Sequence, residues 1–163
     1  MENPNKNLFD CQQMFRHACA FSDCADFAME AFNRDEKVNE WYPTPAIVNS
    51  AFACEVFLKA LLKYNDTPVK KEHKLKELYE LLPEKTKEWI KLTVTNHYGQ
   101  WSDCFGRDYL ENISNAFTDW RYSYESDRLM SIHHGFLTTF RDALREASCQ
   151  LFFGNTWEEY TAN

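Results

Sequence analysis

Along most of this chain apolar residues recur in alternating steps of three and four, the interval that lays side chains on one face of an α-helix. Leu8, Cys11, Phe15, Ala18, Ser22, Ala25, Met29 and Phe32 form the first such seam and predict a long opening helix. Trp41-Tyr42-Pro43-Thr44-Pro45 interrupts it, with Thr44 placed to cap a second helix and Pro45 suited to that helix's first position. Ile47, Ala51, Cys54, Leu58, Leu61 and Leu62 mark the buried face of the second helix. It is expected to stop near Tyr64, because Asn65-Asp66-Thr67-Pro68 favours a turn. Leu75, Leu78 and Leu82 predict a shorter third helix, and Pro83 opens a fourth through Trp89 and Leu92 to about His97, before Tyr98-Gly99-Gln100. Ser102 or Asp103 is the candidate cap of a fifth helix carrying Leu110, Ile113, Phe117, Trp120 and Tyr124. The last long helix is expected from about Ser131 to Phe152, with Ile132, Phe136, Phe140, Ala143, Ala147 and Leu151 inward.

Four glycines and five prolines punctuate the chain, and the prolines fall between the periodic segments. Val94 and Thr95 are too few to predict a sheet, and there is no internal repeat, low-complexity tract or linker. The pattern therefore predicts an all-α fold: a single up-and-down bundle of five to six helices, one domain over 1–163 with its core in about 7–153. The tail at 154–163 is either a short amphipathic piece around Trp157 and Tyr160 or frayed.

Composition narrows the chemistry. At 163 residues, with 44% apolar and 16% aromatic content, the chain can bury one sizeable core. A formal net charge of -7 disfavours non-specific binding to a phosphate backbone, which relies on Lys and Arg displacing counterions. The cysteines at 11, 19, 24, 54, 104 and 149 lie mostly within apolar helical stripes and form no Cys-x-x-Cys pair, as expected of reduced thiols in a cytoplasmic protein. The polar amino terminus lacks a signal-peptide core, and no apolar run is expected to span a bilayer. Cys19 and Cys24 stand about 140° apart around a helix and do not converge on one metal ion, so buried thiols are expected instead of a metal site. The lysines between 70 and 91 alternate with glutamates, the pattern of a solvated face of intrahelical ion pairs.

The stretch Asn115–Glu125 carries the most chemical information. Read as a helix, it places Phe117, Trp120 and Tyr124 on one stripe and Arg121 at its edge, four residues before Glu125. Arg121 has two readings: an ion pair with Glu125 or Glu55, or a cation that stacks on aromatic rings and forks onto a phosphate. Glu55 stands on an otherwise apolar stripe, where a carboxylate needs a partner, and Arg121 and His73 are the candidates. His73 begins a helix, where capping its own loop competes with a catalytic role.

Three segments together resemble the HEPN family, small helical bundles found beside nucleotidyltransferases and in prokaryotic defence or toxin systems. They are Ala53-Cys54-Glu55-Val56-Phe57-Leu58-Lys59-Ala60-Leu61-Leu62, then Glu72-His73-Lys74-Leu75-Lys76-Glu77-Leu78-Tyr79-Glu80-Leu81-Leu82-Pro83, then Trp120-Arg121-Tyr122. In active members, metal-independent ribonucleases, an arginine near the end of the penultimate long helix is followed four to six residues later by a histidine, and paired sites face each other across a homodimer. There histidine handles the proton of the attacking hydroxyl or leaving oxygen, and arginine stabilises charge on the phosphate. Arg121 best matches that arginine, but residues 126 to 128 read Ser126-Asp127-Arg128, and Tyr124 and Glu125 stand nearby instead of a histidine. Arg128 followed by His133 and His134 meets the bare spacing, with Leu129 where the family usually has a polar residue.

The resemblance thus implies a nucleotide- or RNA-related binding or interaction module in a defence or toxin-antitoxin context. It would lack the standard ribonuclease histidine, need no cofactor, and bind through Arg121, Tyr124, Glu125, Glu55 and His73. An active homodimeric endoribonuclease using Arg121 or Arg128 with His133 or His134 is the alternative. A purely structural protein-interaction bundle is the third class, and a nucleotidyltransferase-type protein is the partner the resemblance implies.

Overall fold

The computed structural model describes residues 4–69, 71–97, 108–125 and 131–162. The order is α1 (Pro4–Arg34), α2 (Pro43–Tyr64), α3 (Leu75–Glu80), α4 (Glu84–His97), α5 (Tyr109–Ser114), α6 (Ala116–Arg121), a 3-10 turn (Ser123–Glu125), α7 (His134–Phe153) and α8 (Trp157–Thr161). The fold is an all-helical bundle, with eight α-helices among the described residues instead of five or six.

α1 and α2 run antiparallel. Asn7 reaches the Lys63 carbonyl, Cys11 the Ala60 carbonyl, and Phe21 packs on Phe52, so residues at opposite ends of the two helices meet in register. The turn between them is tied by Asp35, whose carboxylate accepts from the backbone N–H of Lys37 and Val38. Pro43, not Pro45, occupies the first position of α2, and Tyr42 precedes it without a side-chain cap. The other end of α2 closes through bonds from Asp66 N–H to the Lys63 carbonyl and Thr67 N–H to the Leu62 carbonyl. This termination needs a left-handed residue, and Asp66 supplies it at φ 52°.

α2 is the central element, packed against α1, α3, α6 and α7. Its 22 residues are long and apolar enough to cross a membrane, which the sequence pattern had not led us to expect. Two thirds of its most apolar window is buried by neighbouring helices, so its hydrophobicity serves the bundle core. At one end of the core Phe15 gathers the rings of Phe57, Phe152, Phe153, Trp157 and Tyr160 within 6.4 Å. Fully burying an aromatic of this kind is worth about 1.5–3 kcal/mol. The tail is folded: Thr156 and Glu159 form a reciprocal capping box that starts α8.

Two expectations fail for the same reason, a shift of the buried face. The predicted fifth helix is two short helices broken at Asn115, and only Ala116 in α6 is fully buried; Phe117 and Trp120 cover the core from its margin. In α7, which starts at His134, Leu151 is 38% exposed, whereas Leu137, Arg141, Leu144 and Ser148 join Phe136 and Phe140 inside. A helix central enough to touch α1, α2, α4 and α8 buries more than one stripe.

Candidate functional site

Glu55 lies in the middle of α2 with its side chain only 4% exposed. Its Oε1 accepts from Lys59 Nζ at 2.7 Å, one turn along the helix, and lies 2.9 Å from His73 Nδ1. Its Oε2 is buried with no hydrogen-bond partner among the described residues. His73 sits before α3 on a loop fixed by Glu72, whose Oε1 accepts from the backbone N–H of His73 and Lys74 at 2.8 Å each. Those two bonds, from Lys74 and His73 to the ionised carboxyl, hold the Glu72 pKa below the usual carboxylate range. The imidazole is therefore positioned from both sides, by its own loop and by α2, and remains 54% exposed. With Nδ1–H donating to Glu55, Nε2 is the nitrogen left to act as acceptor.

Of the two candidate partners for Glu55, His73 is the one that reaches it. Arg121, at the end of α6, bonds neither Glu55 nor Glu125 among the described residues; it is exposed, with its guanidinium 4.9 Å from the Phe117 ring centroid and 4.6 Å from that of Tyr122. The Phe117 ring stacks on Phe52 at 4.9 Å, and Phe52 meets Phe21 edge-on at 4.6 Å. The result is a ladder of rings from α1 through α2 to α6 that ends in a cation facing solvent. Phe52 precedes Glu55 by three residues, about 4.5 Å of rise along α2, so the two features occupy neighbouring turns of one helix.

Glu125 is exposed in the 3-10 turn. The side chain of Tyr124 and all of Arg128 lie outside the described residues. His133 and His134 do not form an exposed pair. His133 is exposed before the first turn of α7, its ring 4.0 Å from Tyr109 and its backbone N–H donating to Asn112 Oδ1. His134 is half-buried, and burial first, then the charge of Arg141, lowers its proton affinity below the ordinary imidazole value; Asp26 opposes this.

Arg141 is the charged residue that sequence reasoning missed. It is 2% exposed; Nη1 donates to Ser50 Oγ and the Ser22 carbonyl, and Nη2 pairs with Asp26 at 2.9 Å and Asp142 at 3.1 Å. Burial works against its charge, but Asp142 and Asp26 outweigh it and hold the guanidinium protonated. The signal was legible in part, since Arg141 continues the four-three-four spacing of Leu137, Leu144 and Ser148. In the earlier helices Ser22, Asp26 and Ser50 are the polar residues that it meets.

Among the described residues no three His, Cys, Asp or Glu side chains converge as metal ligands. Comparisons with protein-family models, curated proteins and solved structures find no match to this chain.

Proposed function

We propose that this protein is a HEPN-like helical bundle that holds an RNA segment or nucleotide at Arg121, acting as a homodimeric binding module in a defence or toxin-antitoxin setting. The observation that carries this reading is that Arg121 is exposed, braced by two aromatic rings and free of any carboxylate partner among the described residues. An arginine used only for stability would be expected to pair with Glu125 or Glu55. A braced planar cation beside the 45%-exposed ring of Tyr122 offers what a single strand uses: a charge for phosphate and flat surfaces for bases. With an overall charge of -7, such binding draws on stacking at one place and not on a broad basic surface.

Cleavage is less well supported, because it requires an imidazole beside the arginine. Among the described residues, neither His133 nor His134 touches Arg121; one packs on Tyr109 and the other faces Arg141 and Asp26.

The test is fluorescence anisotropy of labelled single-stranded RNA with purified protein in the presence of a chelator. Arg121→Ala is expected to weaken binding about tenfold, the loss of roughly 1.4 kcal/mol that one stacked contact is worth, while the RNA stays intact. RNA cut under these conditions, with cutting lost in His133→Ala or His134→Ala, would make the protein an endoribonuclease. RNA neither bound nor cut would leave a protein-interaction bundle, for which a nucleotidyltransferase-type partner is the first candidate.

A further inference from the structure

A second feature lies on the other side of Lys59. The amino-terminal half of α1, the last turns of α2 and the loop that follows enclose an open cleft of about 740 Å³. Its lining includes the cations Lys59, Lys63 and Lys71 and the apolar side chains of Met14, Pro68 and Val69. We infer that this cleft binds a small organic phosphomonoester, with the phosphate among the lysines and the organic group against those apolar side chains.

The cleft's shape is set by two structural details. The left-handed backbone at Asp66 turns the chain back so that residues 67 to 69 stand opposite α1, and Asn7 Nδ2 locks that turn by donating to Asp66 Oδ1 and the Lys63 carbonyl, both at 3.1 Å. Asp66, the acidic residue in the lining, keeps its negative charge but has Oδ1 held by Asn7. Lys63 pairs with Asp10 at 3.2 Å, and Lys59 shares Glu55 Oε1 with His73. An ammonium carries three N–H donors, so each of these lysines has donors beyond its carboxylate bond. Lys71 is exposed and has no carboxylate partner among the described residues. Three ammonium groups in one lining, each with N–H donors to spare, suit a phosphate dianion.

Size argues against a bare ion. Small-molecule sites typically enclose about 300–1,000 Å³ and are largely apolar with a few placed polar groups. A lone phosphate would leave the thioether of Met14 and the side chains of Pro68 and Val69 in water, whereas a flat or aliphatic substituent would cover them.

The inference is independent of RNA binding at Arg121, and phenyl phosphate tests it by amide NMR titration of the full chain. Saturable shifts are expected at Asn7, Val69 and Lys71, with inorganic phosphate and phenol each binding at least about tenfold more weakly. Lys71→Glu, an exposed position that leaves the fold intact, should weaken binding about tenfold, and Val69→Trp should block the cleft. Arg121→Ala should leave this titration unchanged, and Lys71→Glu should leave RNA anisotropy unchanged. The inference is overturned by no saturable shift up to about 10 mM, by affinity that survives both cleft variants, or by inorganic phosphate binding as tightly as phenyl phosphate. Loss of binding in Arg121→Ala would also overturn it, placing the ligand at the other site.

Discussion

At the scale of single residues, the electrostatics of the interior are organised by Arg141, and its neighbour His134 reports on them. The unfolded chain takes up a proton at His134 near the ordinary value of 6.5, whereas the folded protein resists that proton until a lower pH, because of burial and the charge of Arg141. The stability from this site is therefore complete above about pH 6.5 and is lost as pH falls through the folded value. Urea unfolding between pH 7.5 and 5 should show wild-type stability declining more steeply than that of His134→Gln. Parallel pH profiles for the two proteins would remove His134 from the account. Cys19 and Cys149 follow the same physics of burial: desolvation lifts Cys19 to about 12 and Cys149 to about 11, so both are held as protonated, unreactive groups, whereas Cys24, expected to be buried, is exposed. The Glu55–His73 pair was legible as one of two candidate pairings for Glu55, Arg121 being the other partner. That His73 and Lys59 share one oxygen of Glu55 was not, because the seventeen residues between Glu55 and His73 have to fold back before the contact exists.

At the scale of elements, helix ends decide more here than helix interiors. α8 has five residues, too short to persist by propensity, and stands on its capping box and on the seating of Trp157 and Tyr160 around Phe15. Arg145 adds a face to this seat, its guanidinium 4.4 Å from the Trp157 ring while it pairs with Asp142. Thr156→Ala removes the hydroxyl that accepts from Glu159 N–H and should cost about 1 kcal/mol in chemical denaturation. An unchanged midpoint would mean that the aromatic seat alone holds α8. The long helices were readable from periodicity, since each buries a stripe that repeats every 3.6 residues. The break at Asn115 was not readable, because Leu110, Ile113, Phe117 and Trp120 keep helical spacing across it; Ser114 turning to receive the backbone N–H of Lys76 ties α5 to α3 just before the break.

At the scale of the whole molecule, one helix in contact with four others makes the bundle a cooperative unit. The tryptophans at 41, 89, 120 and 157 lie in the α1–α2 turn, α4, α6 and α8, and so sample distant parts of it. Urea transitions followed by far-ultraviolet circular dichroism and by tryptophan fluorescence should coincide. A fluorescence transition that precedes the loss of helix would show that a segment carrying a tryptophan detaches before the bundle unfolds. The amino-acid order by itself determined that the chain is all-helical and where its long helices lie, because helix formation is a local matter of spacing, capping and the rarity of glycine and proline. Only the tertiary structure decided which charges meet: Arg141 with Asp26, Glu55 with His73, and Arg121 with ring faces instead of a carboxylate. Such pairings depend on distances between segments far apart in the chain, and a buried charge takes whichever partner packing brings within reach.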